Sequence, residues 1–255
     1  MANTVFKRLL LIFLLAFVTF RCGYSQKTAI VTDIYANYRE AVDLYDKGNY
    51  SAAQDRFGAS MEKLDKNDEI FINSEFYYAL CALKLLHPDA EFLLQRFIIN
   101  NPESPQVRTV YMHLGRHYFD RKLYRKSIEY FEMVDLYDLS ADDKSEYYFK
   151  TGYAYFSIGE MDKAAAKFFE IKDAESDYRI PALYYYSHIA YSNAKYQTAL
   201  DGFLILKDDP NFKQVAPFYI TQIYYLQTRY EEVISYAVPH VAEVKADDVV
   251  EMSKL

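Results

Sequence analysis

The chain has 255 residues, a formal net charge of −7 and 51% hydrophobic residues, enough apolar surface for one large domain or an elongated array. With 7 Gly and 7 Pro it has too few turn formers for an all-β fold and too few glycines for a phosphate-cradling loop. Its acidic balance argues against binding a nucleic-acid backbone, and 27 Tyr and 18 Phe without any Trp place core packing on rings that can repeat along helical surfaces.

Residues 1–25 read as a secretory signal peptide: Lys7 and Arg8 precede an uncharged apolar run from Leu9 to Phe20, and small Gly23 and Ser25 follow. That run falls short of the about 20 residues a spanning helix needs, so no membrane span is expected in the mature chain. Removing Lys7, Arg8 and Arg21 leaves 26 basic against 36 acidic residues, a balance of −10. A periplasmic destination follows. Cys22 poses a competing one, an outer-membrane lipoprotein, although Phe20 and Arg21 stand where a lipidated cysteine usually has smaller neighbours. Cys81 is then the one cysteine left, so stability has to come from packing and not from crosslinks.

Residues 26–33 form a short leader, and from 34 to 246 one pattern recurs. Tyr-x-x-(Ala/Ser)-x-x-x-Phe occurs at Tyr50/Ala53/Phe57, Tyr124/Ser127/Phe131 and Tyr196/Ala199/Phe203, with variants at Met161/Ala164/Phe168, His87/Ala90/Leu94 and Tyr230/Val233/Ala237. The small positions Ala53, Ala90, Ser127, Ala164, Ala199 and Val233 are spaced 37, 37, 37, 35 and 34 residues apart. Each period holds two amphipathic segments. In the third, Tyr111, Leu114, Gly115 and Tyr118 share one stripe, and Tyr124, Ser127, Phe131 and Val134 share another. Ser140, three residues before Asp143, is a helix N-cap signal.

On Leu114, Gly115, Tyr118, Tyr124, Ser127 and Phe131, on Gly152, Tyr155, Gly159, Ala164 and Phe168, and on Pro102 closing the second copy, the sequence resembles the tetratricopeptide repeat family. The resemblance implies an all-α fold, a right-handed α-solenoid of about six helix-turn-helix repeats over 34–246. The 37-residue copies exceed the family period, which predicts longer loops between repeats. Stretches such as SEYYFKTGYAYFSIGEMDKAAAKFFEIKD are similar to the N-terminal part of large exported repeat proteins of the Bacteroidota. Residues 247–255 match the opening of a seventh first helix, so the array is expected to continue beyond Leu255 or to be covered there by a partner.

The resemblance further implies a concave groove lined by the first helix of each pair. Its upper positions carry Tyr38, Met112, Phe149, Tyr184 and Phe218, its middle positions Arg116, Tyr153, His188 and Gln222, and its lower positions Tyr45, Phe119, Phe156, Tyr191 and Tyr225. The second copy supplies Glu75, Ala79 and Ala82, a smoother stretch. Tyr and Arg anchors of this kind suit a protein or peptide partner. No catalytic residue, cofactor site or metal site is expected. His113 and His117 lie one turn apart, but Leu114, Gly115 and Arg116 stand between them, supplying no carboxylate base and one repelling cation. A non-enzymatic interaction scaffold of the bacterial envelope is therefore the leading reading. The alternatives are a lipoprotein accessory to outer-membrane assembly or nutrient uptake, and a metal-dependent enzyme built on the two histidines.

Overall fold

A computed structural model describes residues 36–62 and 64–241. The signal peptide at 1–25, the leader at 26–33, Cys22 and the seventh repeat at 247–255 lie outside the described residues. The described residues form helices and no strand, in two compact units that divide between Val110 and Tyr111. The first contains α1 (36–46), α2 (Tyr50–Met61), α3 (Glu69–Lys84), α4 (Ala90–Asn100) and the opening of α5 (Gln106–Asp120). The second contains the rest of α5, then α6 (Tyr124–Phe131), α7 (Ala141–Ser157), α8 (Met161–Phe169), α9 (Arg179–Ser192), α10 (Tyr196–Leu206), α11 (Ala216–Leu226) and α12 (Tyr230–Val241).

Local chemistry sets several of these boundaries. Asp68 accepts from Ile70 N at 2.7 Å to open α3, and Ser140 accepts from Asp143 N at 3.1 Å to open α7, whose first turn also holds Asp142 and Asp143 against the helix dipole. The turn closing each hairpin is the same in every copy. Lys122 N donates to Phe119 O at 2.8 Å and Leu123 N to Tyr118 O at 2.9 Å, the paired bonds of a Schellman closure. The same pair recurs at Gly48/Asn49, Leu86/His87, Gly159/Glu160, Ala194/Lys195 and Thr228/Arg229. The first residue of each pair is left-handed, with φ between 56° and 85°, and only two of the six are glycine.

Packing follows the sequence period. Ala53, Ala90, Ser127, Ala164 and Ala199 are buried, and so are the large residues four positions on, Phe57, Leu94, Phe131, Phe168 and Phe203. The small side chain lets two helices approach, and the large one fills the space beside the contact. Each buried ring contributes roughly 2–3 kcal/mol of transfer free energy. Gly115 shows how close the approach is: a Cβ there would lie 2.5 Å from Phe131 Cδ1. Ser127 Oγ donates to Gly115 O at 2.9 Å across the same contact.

In the second unit the period departs from the loop expectation. The segments between hairpins, 132–140, 170–178 and 207–215, are nine residues each, with no growth in the longer copies. The helices carry the difference: the first helices α7, α9 and α11 have 17, 14 and 11 residues, losing almost a turn at each step, while the second helices α6, α8 and α10 lengthen from 8 to 9 to 11 and offset part of that loss.

Candidate functional site

In the first unit, Tyr38 meets Phe57 edge-on at 6.0 Å, while Tyr45 meets Tyr50 at 5.3 Å and Tyr77 at 5.1 Å. Burial is the main reason the Tyr45 hydroxyl is pushed up to about 12. Both rings are half-buried and pack around the cluster of Ala41, Ala53, Phe57 and Cys81. Burial likewise lifts the Cys81 thiol to about 12, which keeps it protonated and unreactive at neutral pH. Of the smooth stretch expected at Glu75, Ala79 and Ala82, the two alanines are buried in the core and Glu75 keeps 7% exposure.

In the second unit, the first helices α5, α7, α9 and α11 present the predicted rings as an interlocked series. Phe119 meets Tyr153 edge-on at 5.7 Å, Tyr153 meets Tyr185 at 5.4 Å, and Tyr185 meets Phe156 at 5.1 Å. His188 sits between Phe156 at 5.8 Å, Tyr219 at 5.8 Å and Tyr184 at 6.2 Å. Tyr191 meets Tyr219 at 5.2 Å and donates its hydroxyl to Gln222 Oε1 at 2.5 Å. Phe149 stacks on Tyr178, and Tyr184 stacks on Phe212 at 4.7 Å. These residues are half-buried, so each offers an edge and not a whole face. Phe218 and Tyr225 on α11 are the open members, 48% and 62% exposed.

Met112 departs from its expected place. It is 2% exposed and lies in a cluster with Phe131, Val134 and Tyr147. It is three residues before Gly115, on the face that the missing side chain lets α6 approach, so the contact that holds the hairpin also covers Met112.

Arg116 is held by acids of α7. Its Nε and Nη2 grip Glu146 at 2.9 and 2.6 Å, and Nη2 also reaches Asp143 at 2.7 Å. Lys150 adds 3.1 Å to Glu146 and lies 5.1 Å above the Phe119 ring. Burial opposes the charge of Glu146, but the bonds from Arg116 and Lys150 outweigh it and hold the carboxyl below its ordinary range. Asp143 is lowered first by its bond from Ser140 and then by Arg116. The helix cap and the guanidinium clamp thus share one carboxylate, and Arg116 fastens α5 to α7.

His188 Nδ1 is buried and has no hydrogen-bond partner among the described residues, and burial depresses its pKa below the ordinary 6.5. His113 lies near enough to Asp143 for their charges to interact, and His117 Nε2 faces Arg121 at 3.2 Å. Among the described residues, no three His, Cys, Asp or Glu side chains converge as metal ligands would, and no helix is long and apolar enough to cross a membrane. Tyr178, Tyr185 and Tyr219, which the period alone did not single out, pack against the predicted rings Phe149, Tyr153 and His188.

Helical hairpins with this closure, a small residue at the crossing and ring-lined first helices make up the tetratricopeptide repeat fold, and the chain has it. It is similar to the C-terminal part of a TPR repeat-containing protein from Cytophaga hutchinsonii, at a TM-score of 0.61 and 15% identity over 85% of this chain and 86% of that one. It is also similar to a tetratricopeptide repeat protein from Parabacteroides merdae (TM-score 0.54, 12% identity, 83% of this chain and 80% of that one). A third likeness is to pilF of Pseudomonas aeruginosa (0.54, 10% identity, 87% and 97%). No family model matches the sequence, and no curated protein is detectably similar to it.

Proposed function

We propose that the protein is a non-enzymatic interaction scaffold of the bacterial envelope, exported by residues 1–25 and acting in the periplasm, and that the ring-lined face of α7, α9 and α11 receives a protein or peptide segment. The observation that carries this reading is the opening of the aromatic series at α11, where Phe218 and Tyr225 stand exposed beside Tyr191 and Gln222. Half-buried tyrosines offer apolar edges and hydroxyls while losing little conformational freedom, which suits anchors at an interface. The fold supports a protein partner in general. The basic and then apolar start of the chain supports export.

Photo-crosslinking in the native envelope tests the reading. A benzophenone side chain at Phe218 or Tyr225 is expected to give a discrete adduct that is absent when the same group replaces exposed Tyr137 in the connector before α7 or Phe169 at the end of α8. Identical adducts at all four sites, or none at the first two, would overturn it.

A further inference from the structure

The first unit holds an open cleft of about 800 Å³, lined by both polar and apolar groups, between the opening turns of α3 and the connector 101–105 that leads into α5. Its floor is Glu75, 7% exposed. Asn101 Nδ2 donates to Glu75 Oε2 at 2.9 Å, Asn100 Nδ2 to Oε1 at 3.4 Å, and Arg96 approaches Oε1 at 3.7 Å. Across the cleft, Gln106 Nε2 donates to Asn73 Oδ1, and Ser104 Oγ donates to Gln106 Oε1. The carboxamides of Asn73, Asn100 and Asn101 are thus tied at one end and that of Gln106 at both. Among the described residues the other ends, Oδ1 of Asn100, Oδ1 of Asn101 and Nδ2 of Asn73, are left without a protein partner.

We infer that this cleft is a binding site for a neutral saccharide. The volume lies within the range of small-molecule sites. Tethering fixes the free amide ends before a ligand arrives, which spares the cost of ordering them. The ends include acceptors and a donor, and a sugar hydroxyl is both. Asn100 and Asn101 are neighbours drawn onto one carboxylate, which suits adjacent hydroxyls better than the about 7 Å between same-side amides of an extended peptide. Phe71, Pro102 and Pro105 supply apolar plates in the same lining, matching the C–H faces of a sugar ring. Glu75 is paired with Arg96 and bonded by both asparagines, and the other charges of the lining, Lys66, Glu69 and Glu103, are of mixed sign, so the floor itself asks for no cationic ligand. This site belongs to the first unit and goes beyond the scaffold reading, which concerns the second.

The test is titration calorimetry of the exported chain with maltose, cellobiose and N,N′-diacetylchitobiose, beside a blocked tetra-alanine peptide. At least one disaccharide is expected to bind at about 1 mM or tighter. Asn73→Ala should weaken it about tenfold, the loss of one hydrogen bond, and Phe71→Ser should weaken it too, both with helicity unchanged. Phe218→Ala with Tyr225→Ala should leave it intact, so that failure of the scaffold reading and of this one are distinguishable. Three inert sugars, binding of the peptide alone, or sugar binding indifferent to both Asn73→Ala and Phe71→Ser would overturn the inference.

Discussion

Replacing Gly115 by Ala tests the helix contact at the centre of the third hairpin. The added methyl would meet Phe131 at 2.5 Å to Cδ1, 2.6 Å to Cε1 and 2.9 Å to Cγ, where carbon atoms settle at about 3.5–4.0 Å. Phe131 is fully buried in its cluster with Met112, Val134 and Tyr147, so α5 and α6 must part by roughly 1 Å. Such overpacking costs up to about 3 kcal/mol. Separation also stretches the buried bond from Ser127 to Gly115 O, worth about 1 kcal/mol, while alanine returns about 1 kcal/mol of helix propensity. The net expectation is a loss of about 2–3 kcal/mol. Gly152 is the internal control, because a methyl there meets Phe168 at 3.0 Å, which a small shift relieves. Gly152→Ala should therefore stay within about 1 kcal/mol of the parent. Urea unfolding followed by circular dichroism measures both, and Phe131→Leu combined with Gly115→Ala should recover part of the loss as a positive coupling. A Gly115→Ala protein as stable as the parent would refute the argument.

Two other predictions concern protons and turns. His188 has a depressed folded pKa, so the unfolded chain binds more protons there; stability should be constant above about pH 7.5 and fall as pH drops through 6.5. His188→Gln should flatten that part of the profile and leave the carboxylate-driven loss at lower pH, which involves Glu146 and Asp143; an unchanged slope near 6.5 would contradict the assignment. Ala194, exposed and at φ 56°, bears the left-handed penalty without a side chain to lose, so Ala194→Gly should stabilise by about 0.5–1 kcal/mol. Gly159→Ala, at φ 85° with nothing within 4 Å of its Cβ, should cost about 1 kcal/mol, and equal melting of the two variants would show that conformation is not what the turn constrains.

The repeat itself was legible because a small residue followed four positions later by a large one is a packing requirement visible in one dimension. Ser127 illustrates it: its period position, burial and bond to Gly115 O agree. The N-cap at Ser140 was legible for a similar local reason. The ring-lined face was only partly so. A period states which side of a helix carries Met112 or Tyr153, but what covers that side depends on neighbours, here Phe131 and Tyr147 for the first and Tyr185 for the second. The clamp on Arg116 joins residues 27 and 30 positions apart, a pairing that no local pattern marks. The left-handed turns at Leu86, Lys122, Ala194 and Thr228 carry no glycine to announce them. The cleft over Glu75 depends on side chains from α3, α4 and the connector meeting in space.

The hairpin closure fixes where each first helix ends, and the nine-residue segments of the second unit do not vary, so a change in repeat length there falls on the two helix ends that flank each segment, the close of the second helix and the start of the next first helix. The latter end is a free variable for evolution and for engineering. α7, with the longest run, uses it to carry Asp143 and Glu146 out to Arg116, whereas α11 starts too late to bear an equivalent pair. A turn grafted ahead of Ala216 could bring new chemistry to the rim beside Phe218 while the closing turn at Thr228 and the buried small residues stay as they are. Diversification of such a protein can then proceed by lengthening and trimming helices, with no need to redesign the contacts that fold them.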